Sequence, residues 1–325
     1  MEYENLSKKY DKFIYQAYKI KEDEQNIYLK YHFKIENLAD FHPVLTIVKK
    51  DFAWKNLDKD SIKNIAFHIG LIEAMSYWKA TCSKNFYIKC GKLEEKQIQW
   101  FKKLIYLGLG EFRYKNKIQV SQADFVQIIS EGTKFKLEKL ENELEDCIIP
   151  IGGGKDSNVT LELLKETKQK RFGFRINLEP VSQKCAEIAG LKENEIIEVK
   201  RQIDSNLLNL NAQGFLNGHT PFSALVAFVS YFTAMSLGKK YIVLSNEDSA
   251  NESNVKGENI NHQYSKTIEF ENDFRSYVKQ YICPNGAEYF SFLRPISEIQ
   301  IAKLFSEMEA YHFIFKSCNI GSKNK

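Results

Sequence analysis

Several common signatures are missing from this chain of 325 residues, and each absence removes a class of function. The six cysteines (Cys82, Cys90, Cys147, Cys185, Cys283 and Cys318) are scattered, with no C-x-x-C pair. That spacing excludes a disulfide framework and a complete zinc motif. With no signal peptide at the N-terminus, it leads us to expect reduced thiols and a cytoplasmic protein. Neither sign of charge dominates: 46 basic and 42 acidic residues leave a net charge of +4. A balance this close, without a basic run, gives no electrostatic footprint for nucleic acid. Long apolar runs are also absent. The longest, 221–237, is interrupted by Ser223, Ser230, Tyr231, Thr233 and Ser236, so a core helix of an α/β domain is expected there and no membrane span. There is no internal repeat and no low-complexity tract, and an aromatic share of 13% is that of a chain with a core.

What is present is a glycine loop. Gly152-Gly153-Gly154-Lys155-Asp156-Ser157 follows the apolar run 147–151 and precedes a stretch with apolar spacing suited to an amphipathic helix. A strand, a glycine turn and a helix N-terminus gather backbone N–H groups around one spot, and the helix dipole reinforces them. Without a Cβ, the backbone can approach a phosphate closely. Two familiar phosphate loops are ruled out. A Walker A loop needs glycine where Ile149 stands and Ser or Thr where Asp156 stands. The dinucleotide fingerprint needs a third glycine where Ser157 stands. The segment resembles the Gly-Gly-x-Asp-Ser core of the pyrophosphate-loop (PP-loop) ATPases, which implies cleavage of ATP between its α and β phosphates.

The chain divides by rhythm. Residues 13–20 and 26–35 alternate with a period near two and read as paired strands. A helix is expected over 60–80, a strand over 85–90, and a helix over 93–115, broken near Gly108 and Gly110. The 136–146 stretch, rich in Lys and Glu, reads as a solvated helix face. We therefore expect a smaller α+β domain over 1–145. From residue 146 to 325 strands (147–151, 171–177, 195–200, 240–245, 288–293) alternate with helices (157–167, 180–189, 220–237, 263–281, 296–307). That pattern predicts an α/β fold of the PP-loop type, a mostly parallel sheet with helices on both faces. Ligands in such folds sit beyond the carboxyl ends of the strands.

Polar clusters fall at those ends. In Asn217-Gly218-His219-Thr220-Pro221, Thr220 reads as a helix N-cap with Pro221 at the first helical position. His219 is a candidate for phosphate contact or proton transfer. Ser245 to Ser249 follows an apolar strand, and its carboxylates could hold Mg²⁺ on a nucleotide phosphate. The 261–266 segment mixes donors and acceptors ahead of a helix. Arg294 could clamp a carboxylate or phosphate, or form a surface salt bridge.

Read in order, these blocks are similar to one family, the UDP-N-acetylmuramoyl-L-alanyl-L-glutamate (MurL-type) epimerases. The matching blocks are 151–157, 217–221, 244–249, 261–266, 291–296 and 316–319. In the N-terminal part 75–79 and 107–112 agree as well. The resemblance spans roughly residues 60 to 320. It implies an ATP- and Mg²⁺-dependent inversion of the terminal L-glutamate of UDP-MurNAc-L-Ala-L-Glu through an acyl-adenylate, with release of AMP and pyrophosphate. Residues 152–157 would hold the phosphates. Asn217, Ser245, Asn246, Ser249 and Arg294 are the candidate substrate-binding residues. His219, Glu247, His262 and Lys266 are the candidate bases, with no metal ligands assigned. The family runs on past the Ser317-Cys318-Asn319 block into a segment with tryptophan and cysteines that this chain lacks, so a shortened C-terminus is expected. Another adenylating PP-loop enzyme and a non-catalytic nucleotide-binding protein are the alternatives.

Overall fold

The computed structural model describes residues 2–55, 57–141, 143–177, 179–252, 261 and 263–316. Their strands are β1 (Lys12–Glu22), β2 (Asn26–Ile35), β3 (Ala39–Phe41), β4 (Val44–Val48), β5 (Asn85–Ile88), β6 (Gln127–Ser130), β7 (Glu145–Pro150), β8 (Arg171–Ile176), β9 (Ile196–Gln202), β10 (Lys239–Leu244) and β11 (Glu288–Ser291). All join one sheet in the order β11-β10-β7-β8-β9-β4-β2-β1-β5-β6, with β3 beside β2. The run from β11 to β9 is parallel, as the alternation of strands and helices predicts. β9, β4, β2 and β1 then pair antiparallel in turn, and β5 and β6 are parallel to β1. The boundary expected at residue 145 falls at the start of β7, and the sheet passes through it.

Alternation along the strands sorts the core into two layers. Cys147, Ile149, Ile196 and Val243 face helices Lys155–Leu163, Pro180–Ile188 and Glu298–Ser306. Ile148, Ile197, Ile242 and Leu244 face helices Asp60–Trp78, Phe222–Leu237 and Ile268–Tyr281 on the other side. Successive side chains of a strand point to opposite faces, so strands covered on both sides are apolar throughout. β2 differs: Tyr28, Lys30, His32 and Lys34 alternate with buried Ile27, Leu29, Tyr31, Phe33 and Ile35. Its second face is open to solvent.

Three local expectations are corrected. The 136–146 stretch forms no helix: it is irregular up to β7 among its described residues. The backbone N–H and carbonyl of Leu140 are taken by the Asn285 side chain, and Leu140 and Leu144 pack against the core without helical structure. Pro221, not Thr220, is the cap residue of helix Phe222–Leu237, because the Thr220 carbonyl accepts from Phe222 N at 2.7 Å in a tight turn. The helix after the glycine loop begins two residues early, at Lys155, with Gly154 as its cap. The run 221–237 is a buried core helix. No helix among the described residues is long and apolar enough to cross a membrane.

Candidate functional site

The order β9-β8-β7-β10-β11 reverses direction between β7 and β10. The chain moves outward from β7 through β8 to β9, then returns to lay β10 on the other side of β7. The two loops leaving the carboxyl ends of β7 and β10 therefore diverge around a crevice, the place where open α/β sheets bind ligands. The first of these loops is the glycine loop and the second is Ser245 to Ser249.

The glycine loop has the shape of a cradle. A Cβ at Gly152 would meet nothing within 4 Å, so its outer surface is open. Gly153 has φ of +83°, and a Cβ there would come within 2.7 Å of Val181 Cγ1. Only glycine fits that position. From behind, the Gly153 carbonyl accepts from Lys316 N at 3.0 Å. Ser157 Oγ donates to the Gly154 carbonyl at 3.0 Å, closing the first turn of the helix. Lys155 is ion-paired with Asp156 Oδ1 at 2.7 Å and Glu298 Oε1 at 3.3 Å. Burial pulls its pKa down, but these carboxylates outweigh burial and hold it above the ordinary lysine value.

The second wall is built by Arg294. Its Nη1 donates to the Glu247 carbonyl at 2.8 Å, and its Nη2 to the Lys266 carbonyl at 2.7 Å, with Glu271 Oε2 at 3.2 Å and Ser291 Oγ at 3.3 Å. One guanidinium thus ties together three segments that follow β10, precede helix Ile268–Tyr281 and follow β11. Arg294 is placed as a brace of the wall. Glu247 accepts from Ser249 N at 2.8 Å and Ser249 Oγ at 2.6 Å. Asn246 donates to Ser291 Oγ at 3.0 Å. Ser245 Oγ is buried with no hydrogen-bond partner among the described residues. Burial lowers the pKa of Lys266, against the opposing pull of Asp156 and Glu247. Both loops therefore bear on this amine.

Asn217 and His219 sit in the turn ahead of helix Phe222–Leu237, on the same edge of the sheet. Asn217 Oδ1 accepts from Gly218 N at 2.8 Å, and its carbonyl accepts from Asn116 Nδ2 at 3.2 Å. His219 is half-buried. His262 lies outside the described residues, as does Cys318. The structure thus brings the glycine loop, Glu247, Lys266 and Arg294 together around one crevice and sets Asn217 and His219 in a separate turn. Sequence reasoning missed Glu298, Glu271 and the buried Lys79, whose ammonium donates to the Gly218 carbonyl. The block 75–79 was visible in the sequence, but nothing local said which of its side chains reaches the turn. Among the described residues no group of three or more His, Cys, Asp or Glu side chains could hold a metal ion.

Comparison with known proteins gives this crevice a family. The family model described as "MurL N-terminal domain" matches residues 4–292. The chain belongs to the MurL family. It is 30% identical over 270 residues, 82% of this chain and 58% of the relative, to a UDP-N-acetyl-alpha-D-muramoyl-L-alanyl-L-glutamate epimerase of Xanthomonas oryzae pv. oryzae (strain MAFF 311018). A protein of the same name from Micromonospora sp. (strain ATCC 39149 / NRRL 15099 / SCC 1413) is 31% identical over 255 residues, 78% of this chain and 56% of that one. The chain therefore spans little more than half the length of these two relatives. A third, from Salinispora tropica (strain ATCC BAA-916 / DSM 44818 / JCM 13857 / NBRC 105044 / CNB-440), is 36% identical over 175 residues, 53% of this chain and 37% of its own length. The MurL match crosses residue 145 without a break, as the sheet does.

Proposed function

We propose that this chain carries the nucleotide-dependent site of an epimerase that inverts the terminal L-glutamate of UDP-MurNAc-L-Ala-L-Glu. The observation that carries the reading is the open glycine cradle at the reversal point of the sheet, in a chain of the MurL family. An α-proton next to an ionised carboxylate is very weakly acidic, because its removal sets a second negative charge beside the first. Joining that carboxylate to AMP removes the first charge and lets a base act. In this reading the PP-loop-type residues 152–157 hold the phosphates of ATP. Lys155 supplies a permanent positive charge there, and the first turn of helix Lys155–Leu163 supplies N–H donors. Mg²⁺ bound with a nucleotide takes most of its ligands from phosphates and water, with one or two carboxylates. Asp156 and Glu247 are the residues that would hold it, and it would neutralise phosphate charge.

Of the candidate bases, Lys266 fits best. It is largely buried, its pKa is lowered, and it lies where Asp156 and Glu247 both act on it. The test is incubation with ATP, Mg²⁺ and UDP-MurNAc-L-Ala-L-Glu in ²H₂O, followed by AMP assay and chiral analysis of the glutamate. The expected result is D-glutamate with deuterium at the α-carbon and stoichiometric AMP. AMP without inversion would point to another adenylating enzyme. Nucleotide binding with no AMP would point to a non-catalytic nucleotide-binding protein.

A further inference from the structure

Two blocks of the N-terminal half meet at the turn that bears Asn217 and His219. A Cβ on Gly108 would come within 2.9 Å of the Pro221 ring, so glycine there lets helix Glu95–Gly108 pack against the turn. Phe112 covers Gly218 in the same way, at 3.2 Å from the position a Cβ would take. From below comes Lys79, directly after helix Asp60–Trp78. The residue is 6% exposed, and its ammonium donates to the Gly218 carbonyl.

The charge around Lys79 does not balance. Burial, joined by the like charge of Arg201 at the carboxyl end of β9, lowers the lysine's pKa to about 8 against the opposing pull of the Cys82 thiol. The carboxylate of this cluster, Glu73, is 1% exposed in its side chain and is already bonded to Arg201 Nε at 2.8 Å. Arg201 Nη2 is bonded to Ser76 Oγ at 2.8 Å. The ion pair of Glu73 goes to Arg201 alone, its Oε1 is buried without a hydrogen-bond partner, and no ion pair to Lys79 forms among the described residues. An ammonium has three hydrogens, and the Gly218 carbonyl takes one. Burying a charge without a counter-ion is costly, and a bound anion would offset that cost.

The substrate class supplies such an anion. Glutamate has two carboxylates; adenylation neutralises one and leaves the other ionised. Of the cations around the glycine loop, Lys155 and Arg294 are paired with Asp156, Glu298 and Glu271, and Lys266 is the candidate base. Lys79 stands on the same edge with no carboxylate of its own. We propose that Lys79 binds the carboxylate that the reaction leaves ionised, the γ-carboxylate of the terminal glutamate, against the turn of Asn217 to Pro221. The inference rests on the epimerase reading of the crevice. It makes the N-terminal half a contributor to the substrate site.

Calorimetric binding to the whole chain tests it apart from catalysis, with UDP-MurNAc-L-Ala-L-Glu and the same molecule ending in L-Gln as ligands. The parent should prefer the Glu ligand at least tenfold. Lys79→Met should erase that preference while ATP affinity stays within twofold, and Lys79→Arg should restore part of it. Lys79→Met should also keep or raise the melting temperature, because it removes an unpaired buried charge. A parent with no Glu preference, or a Lys79→Met variant that keeps it, overturns the proposal. So does a Lys79→Met variant that melts well below the parent, which would make the lysine a strut for the turn. Failure of the epimerase reading shows separately, as absence of AMP formation and inversion in the parent.

Discussion

Two turns on the carboxyl edge of the sheet each meet a lysine, and they are built on opposite plans. At the glycine loop Lys155 meets two carboxylates and is held above its ordinary pKa. At the turn of Asn217 to Pro221, Lys79 meets a carbonyl and a like charge and is lowered to about 8. The first cation is fixed by the fold itself. The second leaves room for a counter-ion from elsewhere. The contrast teaches that a buried lysine's partners, rather than its burial, say whether its charge is already balanced within the fold or is left for a ligand to balance.

The sharpest way to break that comparison is to disturb the brace. Arg294→Met leaves Glu271 buried and unpaired and releases the carbonyls of Glu247 and Lys266. Losing one partner of such a pair costs about 3–5 kcal/mol, which urea unfolding at pH 7 would read. A loss below about 1 kcal/mol would mean the wall stands without it. Next come Asp156→Ala and Ser157→Ala. Each should reduce AMP formation by about 10²-fold or more, with a melting temperature close to the parent's. Unimpaired AMP formation in both variants would sink the phosphate-cradle assignment.

A pH experiment isolates Lys79. Its folded pKa of about 8 lies below the unfolded value of 10.5, so between them the unfolded chain binds the extra proton. Its contribution is therefore complete above pH 10.5 and is lost as pH falls to 8, by about 3 kcal/mol. Unfolding free energies of parent and Lys79→Met should diverge across that window and run parallel below it. Parallel curves throughout would put Lys79 in the same class as Lys155. The smallest expected effect is at Gly153. Its φ of +83° and the nearness of Val181 should make Gly153→Ala cost about 1–3 kcal/mol, seen as a lower melting temperature together with weaker nucleotide binding.

Much of the parallel half could be read from the sequence. Strands such as 147–151 and 240–245 are continuous apolar runs with glycine or polar residues at their ends, a pattern set by burial on both faces. β4 escaped because Val44-Leu45-Thr46-Ile47-Val48 is a short run with no hairpin turn beside it. Its pairing with β9 joins residues more than 150 positions apart. The 136–146 stretch misled because the Leu140 backbone pairs with the side chain of Asn285, 145 positions away. The glycine loop was legible since its shape is local. Arg294's task was not, because its acceptors belong to Glu247 and Lys266. Neither was that of Lys79, whose acceptor lies 139 residues away.

The antiparallel seam between β9 and β4 has a practical consequence. A fragment beginning at residue 146 would leave β9 as a bare margin, with the N–H and C=O groups that now meet residues 44–47 free to recruit another strand. The same cut would strip helix Asp60–Trp78 from helix Phe222–Leu237 and uncover apolar side chains packed between them. Such a piece should self-associate through that raw margin, so it is a poor reagent for measuring nucleotide binding even though it contains every residue of the glycine loop.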